Sequence, residues 1–275
     1  MGEHRFTTSD GIAIAYDLDD FTDPWKSANT LVMLHSAMGS ARRFYAMVPP
    51  LARQYRVVRM DLRGHGRSTV PPADKPLTMD RLVADVRELM AELGCASAHF
   101  VGNSAGGYIS QQLAMHHGGL TQSIAIFGST PGLKHSQAHT WLPRVAKEGL
   151  RNFLADTIAD RFDLAATDPG LVAWFLDQCA GNDTAYIGRF IGLMTTLDWS
   201  DEVHRIECPM LCVYPGGETV GSAHSYDVFR AKVPDVEMVS YDRLPHNICD
   251  AVPDRCAGDV LRFLKKRFGD GAGPN

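Results

Sequence analysis

The residues of this chain best suited to chemistry are a serine, an acid and a histidine that occur in this order. Ser104 stands at the centre of a G-x-S-x-G sequence whose glycines are Gly102 and Gly106. A serine hydroxyl is a weak nucleophile until a neighbouring base takes its proton, and that base needs a carboxylate to hold it in the correct tautomer. Ser104 can therefore act as a nucleophile only if the fold brings an acid and a histidine to it.

The G-x-S-x-G sequence requires a sharp turn between a strand and a helix. The apolar run at 98–101 predicts a buried strand that ends at Gly102, and a helix-like segment begins near Ala105. Ser104 is thus predicted to lie on a strained turn, where the flanking glycines let the two backbones pass closely. The alternative interpretation is a dinucleotide-binding loop with the sequence G-x-G-x-x-G. It is rejected because Ser104 occupies the position of the second glycine, which must lack a side chain to admit the pyrophosphate.

Glu218 and His246 are the predicted partners of Ser104. Glu218 lies in a glycine-rich turn directly after the strand-like run at 209–214, and His246 follows a later strand and precedes the last helix. This satisfies the order serine, acid, histidine that accompanies a G-x-S-x-G turn. Asp242 and Asp250 are close to His246 in sequence and compete with Glu218 for the role of orienting acid, although neither follows a suitable strand.

Strand-like and helix-like segments alternate around these residues. Asp-Gly at 10–11, between two alternating segments, predicts an N-terminal hairpin. In 78–93 apolar residues recur at helical spacing, and Gly94 follows as a stop signal. Further strands are predicted at 30–35, 55–60, 123–127, 209–214 and 237–241, and further helices at 42–53, 105–117, 222–232 and 254–268. This alternation predicts an α/β fold with a mostly parallel sheet.

A long segment at 131–205 interrupts the alternation, because it contains only helix-like stretches rich in aromatic residues. It is too long for a surface loop, so it is predicted to be a helical lid subdomain over the carboxyl edge of the sheet, where open α/β sheets bind ligands. The predicted units are a core of 1–130 and 206–268, the lid of 131–205, and a disordered tail at 269–275, which is rich in glycine and proline.

Five basic residues of this segment are candidates for contact with a carboxylated substrate, although such charges usually form a solvated helix face. They are Arg144, Lys147, Arg151, Arg161 and Arg189.

Composition excludes several other functions. The net charge of −5 argues against binding to nucleic acid through phosphate neutralisation. The six cysteines show no C-x-x-C pattern, and His135 and His139, although spaced like metal ligands on a helix, lack an acidic or cysteine partner, so no metal or cofactor is expected. No targeting sequence and no membrane-spanning apolar run is recognised, so a cytoplasmic location without membrane association is expected.

The motifs together resemble the α/β-hydrolase-fold superfamily over roughly 6–268. They are His35-Ser36-Ala37-Met38-Gly39, Asp61-Leu62-Arg63-Gly64-His65-Gly66-Arg67-Ser68, Gly102-Asn103-Ser104-Ala105-Gly106-Gly107 and Leu244-Pro245-His246-Asn247. Within it, the lid pattern and the His-Ser-x-x-Gly turn are most similar to 3-oxoadipate enol-lactonases and their esterase-like relatives. Two positions depart from that pattern, since Glu218 stands where most relatives carry aspartate and Ser36 where glycine is commoner.

The resemblance implies a mostly parallel sheet flanked by helices, with the lid inserted after the sixth strand. It also implies an oxyanion hole formed by the backbone N–H groups of Ala37 and Ala105. The turn at 35–39, which we call the oxyanion turn, would be braced by His35. The expected activity is cofactor-independent cleavage of a small carboxylic ester or lactone by Ser104, His246 and Glu218, in a monomer or homodimer. A C–C bond hydrolase of ring-cleavage dienoates, and a ligand-binding protein without turnover, are the alternatives.

Overall fold

The apolar runs of the sequence form one sheet of eight strands in the computed structural model, which describes residues 3–269. The strands are β1 (Glu3–Thr7), β2 (Ala13–Asp19), β3 (Thr30–Leu34), β4 (Arg56–Met60), β5 (Ala98–Asn103), β6 (Thr121–Phe127), β7 (Met210–Pro215) and β8 (Val236–Tyr241). Their order across the sheet is β1-β2-β4-β3-β5-β6-β7-β8. β2 is antiparallel to β1 and β4, and all other neighbours are parallel. The predicted mostly parallel sheet is confirmed.

Helices cover both faces of this sheet. They are α1 (Val48–Ala52), α2 (Met79–Glu92), α3 (Ala105–His116), α4 (Trp141–Asp156), α5 (Pro169–Ala180), α6 (Thr184–Met194), α7 (Asp227–Lys232), α8 (Ile248–Ala251) and α9 (Pro253–Phe268). Successive residues of β3 point to opposite faces. Val32 and Leu34 pack with α2 and α3, whereas Leu31 and Met33 pack with α1, α8 and α9. Burial on both faces explains why the central strands are continuous apolar runs.

The predicted helix at 42–53 is divided in the structure. A 3₁₀ turn, Ala41–Phe44, precedes α1, and two prolines occupy the first turn of α1. Proline lacks an N–H group and disfavours helical conformation in the residue before it, so Pro49 and Pro50 fit the first turn of a helix but not its middle. The sequence-based boundary was therefore wrong, and a new helix begins at Val48.

The chain between β6 and β7 contains the helices α4, α5 and α6, and within the described residues its one β-type contact is a bridge between Gly132 and Asp198. We call residues 131–205 the helical insertion. Phe153, Phe175 and Ile187 belong to a third hydrophobic cluster that lies mainly in this segment. Its assignment as a lid subdomain stays a prediction. Apart from Gly269, the predicted disordered tail lies outside the described residues.

None of the helices in residues 3–269 is long and apolar enough to cross a membrane.

Candidate active site

Ser104 lies on the turn between β5 and α3. Its φ of 50° and ψ of −111° fall outside the regions that L-residues ordinarily occupy, which costs about 1–3 kcal/mol. The neighbouring glycines make this turn possible because they lack side chains. A Cβ on Gly106 would lie 1.9 Å from the Leu34 carbonyl oxygen, and a Cβ on Gly102 would lie 2.5 Å from the Gly107 nitrogen. The N-terminus of α3 can therefore sit directly on the ends of β3 and β5.

Backbone hydrogen bonds tie this strained turn to the end of β6. The N–H of Ser104 donates to the Phe127 carbonyl at 2.8 Å. The side-chain hydroxyl of Ser129 adds to this connection, since its one proton is within reach of the Ser104 carbonyl at 2.8 Å and of the Phe127 carbonyl at 3.1 Å. Because these bonds fix both sides of the Ser104 peptide unit, the surrounding structure holds the nucleophile candidate in its unusual conformation.

Glu218 and His246 are in direct contact, although 28 positions separate them in the chain. His246 Nδ1 lies 3.1 Å from Glu218 Oε1 and 2.9 Å from Oε2. The Glu218 side chain is fully buried, whereas that of His246 remains 10% exposed. Since an ionised carboxylate only accepts hydrogen bonds, Nδ1 is the protonated nitrogen in this pair, and Nε2 is left as a base.

The turn after β7 holds the Glu218 carboxylate from its other sides. Oε1 accepts the N–H groups of Val220 at 2.8 Å and Gly221 at 3.1 Å, and Oε2 accepts the Tyr226 hydroxyl at 3.1 Å. Burial alone would raise the pKa of Glu218, but the charge and hydrogen bond of His246 and the two amide hydrogen bonds lower the pKa from 4.5 to about 2. Glu218 is therefore ionised at neutral pH.

His246 and Ser104 both lie next to the backbone at the end of β6. A Cβ on Gly128 would lie 3.4 Å from His246 Cε1, while the preceding residue, Phe127, accepts the Ser104 N–H. Within residues 3–269, no hydrogen bond joins Ser104 Oγ to His246. Such bonds are often long in enzymes without substrate and shorten in the complex. The structure thus brings Glu218 and His246 into contact, and it places both Ser104 and His246 next to the backbone at 127–128.

The two competing acids have other partners. Asp242 accepts the Ser240 hydroxyl at 2.7 Å on the exposed side of the turn after β8. Asp250, at α8, accepts the Nε of the buried Arg43 at 2.9 Å. Of the three acids considered from the sequence, Glu218 is the one that contacts His246.

The segment after β3 has the geometry expected of one oxyanion donor. Leu62 donates its N–H to His35 Nε2 at 2.9 Å, so the His35 proton is on Nδ1, which donates to the Ser36 carbonyl at 2.8 Å. Gly39 donates to the same carbonyl at 3.0 Å. Burial lowers the pKa of His35 to about 3, so its ring is neutral. In a trans peptide the N–H points opposite to the C=O, so these bonds fix the direction of the Ala37 N–H.

The second donor candidate is the N–H of Ala105, the first residue of α3. An N–H at a helix start has no partner within the helix and lies at the positive end of the helix dipole. Among the residues that the structure describes, neither the Ala105 N–H nor the Ala37 N–H donates to another group. Within residues 3–269 both N–H groups are thus unused by the chain itself, as the predicted oxyanion hole requires.

Arg43 is part of a buried network that sequence reasoning missed. Its guanidinium pairs with Asp250 through Nε and Nη2, and Nη1 donates to the Ser36 hydroxyl. Burial lowers the pKa of Arg43, but the adjacent Asp250 carboxylate outweighs burial and raises the pKa above its usual value. The network joins the oxyanion turn to the helix that follows His246. In the sequence, the one feature that sets Arg43 apart is that this charged residue directly precedes the apolar Phe44.

Asn182, between α5 and α6, is a second missed residue. Its Nδ2 donates to the Met38 carbonyl at 3.0 Å, and its Oδ1 accepts the Gly66 N–H at 2.9 Å. Met38 has a φ of 63°, in the left-handed region that non-glycine residues rarely adopt. Asn182 thus connects the helical insertion to the oxyanion turn. No sequence pattern distinguishes it from a surface asparagine.

This site has the features expected of an α/β hydrolase, namely the α/β fold, the strained serine turn and the order of the polar residues. The comparison with family models agrees with this assignment. The model of the alpha/beta hydrolase fold family matches residues 29–167. This chain belongs to the α/β-hydrolase-fold family, and the predicted resemblance is confirmed.

Individual relatives extend the similarity over nearly the whole chain. A non-heme haloperoxidase from Rhodococcus erythropolis is 25% identical over 94% of this chain and 98% of its own. A fluoroacetate dehalogenase from Burkholderia sp is 32% identical over 86% of this chain and 88% of its own. The crystal structure of the enol-lactonase from Burkholderia xenovorans LB400 superposes with a TM-score of 0.87, at 22% identity, over 95% of this chain and 100% of that one. At that identity the enol-lactonase shows a shared fold.

Proposed function

We propose that this protein is a serine hydrolase that cleaves a small carboxylic ester or lactone through an acyl-enzyme. The observation that carries the proposal is the contact of both Glu218 oxygens with His246 Nδ1, next to the strained turn that holds Ser104. This arrangement leaves His246 Nε2 unprotonated, as a general base for Ser104 requires. The enol-lactonase that shares this fold is an example of the proposed activity on the same architecture.

The proposed reaction begins with attack of Ser104 Oγ on the carbonyl carbon, while the hydroxyl proton passes to His246 Nε2. The carbonyl electron pair moves onto oxygen, which accepts the N–H groups of Ala37 and Ala105. Collapse of this intermediate breaks the C–O bond, and the leaving alkoxide takes the proton from His246. Water then gives a proton to His246 and attacks the acyl group, and the proton returns to Ser104 as the acid departs.

The identity of the nucleophile argues against dehalogenation, despite the similarity to the fluoroacetate dehalogenase. Displacement of a halide from a saturated carbon by Ser104 would form an ether. Water activated by His246 cannot hydrolyse an ether in the way that it hydrolyses an ester, so such an enzyme would stop after one turnover. Ser104 therefore favours acyl transfer.

Labelling by a fluorophosphonate tests the proposal directly. We expect the probe to modify Ser104, identified by mass spectrometry of the digested protein, and we expect Ser104→Ala to lose both labelling and hydrolysis of short p-nitrophenyl esters while remaining folded. Ser110→Ala is the matched control, because Ser110 is a buried serine of α3 whose hydroxyl donates to the Gly106 carbonyl. Absence of labelling in the unaltered protein would favour the ligand-binding alternative, and faster turnover of a dienoate than of a lactone would favour the C–C hydrolase.

A further inference from the structure

Tyr226 is a buried tyrosine whose hydroxyl has one hydrogen-bond partner within residues 3–269, the Glu218 carboxylate. It ends the 3₁₀ turn Ala223–Tyr226 that precedes α7, and it is 1% exposed. Its hydroxyl donates to Glu218 Oε2 at 3.1 Å. Burial and the charge of Glu218 raise the pKa of Tyr226 well above its usual value, so the hydroxyl keeps its proton at neutral pH. Since an ionised carboxylate only accepts hydrogen bonds, Tyr226 is the donor in this bond.

The ring of Tyr226 is held in place independently of Glu218. It stacks on Tyr214 of β7, with ring centres 5.0 Å apart and ring planes inclined by 24°. Cys212 and Phe229 belong to the same buried apolar cluster as this ring. Side chains in a close-packed interior have defined orientations. The position of the Tyr226 hydroxyl is therefore determined by the core and not by the carboxylate to which it donates.

The hydrogen-bond donors around Glu218 divide between its two carboxylate oxygens. Oε1 accepts the N–H groups of Val220 and Gly221, whereas Oε2 accepts the hydroxyl of Tyr226. Oε2 is also the oxygen nearer to His246 Nδ1, at 2.9 Å compared with 3.1 Å for Oε1. Among the residues that the structure describes, Tyr226 is thus the group other than His246 that holds the oxygen making the shorter contact with the histidine.

Glu218 needs such a donor more than an aspartate at the same position would. Glutamate has one more side-chain torsion than aspartate, and the torsion next to its carboxylate is broad and weakly restrained. The amide hydrogen bonds of Val220 and Gly221 fix Oε1, but they leave Oε2 free to turn about it. A donor on Oε2 whose own position is fixed by the core removes this freedom. Tyr226 is such a donor, and it compensates for the longer side chain of Glu218.

We propose that Tyr226 is a positioning residue of the reaction, which fixes Glu218 Oε2 opposite His246 Nδ1 and so holds His246 in the orientation that accepts the serine proton. Tyr226 touches neither the substrate nor the reacting atoms in this assignment, and it acts through Glu218. The inference rests on the proposed function for the reaction, but the effect of Tyr226 on the contact between Glu218 and His246 can be measured without turnover.

Replacement of Tyr226 by phenylalanine removes the hydroxyl and keeps the stacked ring. We expect kcat for p-nitrophenyl acetate to fall by about 10-fold in Tyr226→Phe, because a less well fixed acid places the general base less accurately. This is a small part of the loss of about 10⁴-fold that accompanies replacement of the acid by its amide. KM should stay within about 2-fold, since the buried Tyr226 offers no surface to a substrate.

Tyr241→Phe is the matched control, because it makes the same change at another buried tyrosine that donates to a carboxylate. Tyr241 is fully buried, and its hydroxyl donates to Asp259 Oδ2 of α9 at 2.7 Å. Both variants lose a buried hydrogen bond to a charged group, so urea unfolding should show a loss of stability in each. Tyr241→Phe should nevertheless keep kcat within about 2-fold. The same kcat in both variants, whether unchanged or lowered, would contradict the positioning role of Tyr226.

Nitrogen NMR of the His246 ring tests the inference without a substrate. The signal of Nδ1, detected through the carbon-bound ring protons, is assigned by its absence from the spectrum of His246→Ala. We expect its chemical shift to change in Tyr226→Phe, because the strength of the bond from Nδ1 to Oε2 depends on what else Oε2 accepts. Tyr241→Phe should leave the shift unaltered.

A shift that changes only in Tyr226→Phe supports the positioning role even if no ester is hydrolysed, so failure of the proposed function would not conceal it. The same Nδ1 shift in Tyr226→Phe and in the unaltered protein, or equal changes in the two tyrosine variants, would overturn the inference whatever the activity.

Discussion

Replacement of Glu218 by glutamine changes one oxygen for an NH₂ group, and the structure determines where that group will go. Oε1 accepts the N–H groups of Val220 and Gly221, which cannot become acceptors, so the amide oxygen will occupy this position. The NH₂ group then replaces Oε2, which lies 2.9 Å from His246 Nδ1 and 3.1 Å from the Tyr226 hydroxyl. The hydroxyl can rotate to accept. His246 Nδ1 lies closer to this NH₂ group than to the amide oxygen at 3.1 Å, and it can accept from the NH₂ group only by losing its own proton.

The magnitude follows from that change of tautomer. With its proton on Nε2, neutral His246 can no longer accept the proton of Ser104. In triads where the acid was replaced by its amide, the geometry was retained and kcat fell by about 10⁴-fold, which is about 5.5 kcal/mol in activation free energy. We expect a loss of this size for Glu218→Gln, with residual activity from the oxyanion donors, which the substitution does not touch.

Steady-state hydrolysis of p-nitrophenyl acetate by Glu218→Gln and Asp242→Asn provides the measurement. Asp242→Asn makes the same chemical change near His246, but Asp242 contacts Ser240 on the surface, so its kcat should remain within about 2-fold, as is usual for a surface site. Thermal unfolding of both variants checks that the fold is intact. The reasoning would be refuted if Glu218→Gln kept kcat within about 10-fold of the unaltered enzyme, a factor worth 1.4 kcal/mol, or if Asp242→Asn lost more activity than Glu218→Gln.

Two further predictions concern stability. Because folding lowers the pKa of Glu218 from 4.5 to about 2, the ionised group stabilises the fold above pH 4.5, and this contribution of about 3 kcal/mol is lost as pH falls through that interval. Urea unfolding between pH 6 and pH 3 should therefore show a steeper loss of unfolding free energy for the unaltered protein than for Glu218→Gln, and parallel curves would contradict it. Gly106→Ala should cost about 3 kcal/mol or prevent folding, because its Cβ would meet the Leu34 carbonyl oxygen at 1.9 Å. Gly188→Ala in α6 has open space around it and should be neutral or stabilising by urea unfolding, so equal effects of the two substitutions would exclude the proposed contact.

The parts of this structure that could be predicted from the sequence depend on local patterns. The continuous apolar runs gave the parallel strands, and helical periodicity gave α2, whose N-cap is Thr78 and which ends before Gly94. The position of Ser104 on its turn followed from G-x-S-x-G, because only glycines fit where α3 meets the ends of β3 and β5. Glu218 and His246 could be proposed because parallel strands end at the same edge of a sheet.

The parts that could not be predicted depend on contacts between residues distant in the chain. Arg43 and Asp250 are 207 positions apart, and nothing near either residue indicates the other. The five basic residues of the helical insertion look alike in sequence, and only the folded chain shows that Arg144 and Arg151 form surface ion pairs whereas Arg161 is buried. The break before Val48 has a local cause, the two prolines in the first turn of α1, which the prediction of one helix over 42–53 did not take into account.

These long-range contacts connect the helical insertion to both halves of the proposed catalytic machinery. Asn182 binds the Met38 carbonyl of the oxyanion turn, and the carbonyls of Asp160 and Arg161 bind the segment that starts at His246. Since a misplaced catalytic group lowers kcat even when binding is unchanged, substitutions in the insertion should affect kcat as well as KM whenever they disturb these backbone contacts. In the proposed mechanism, the insertion therefore contributes to how accurately His246 is placed.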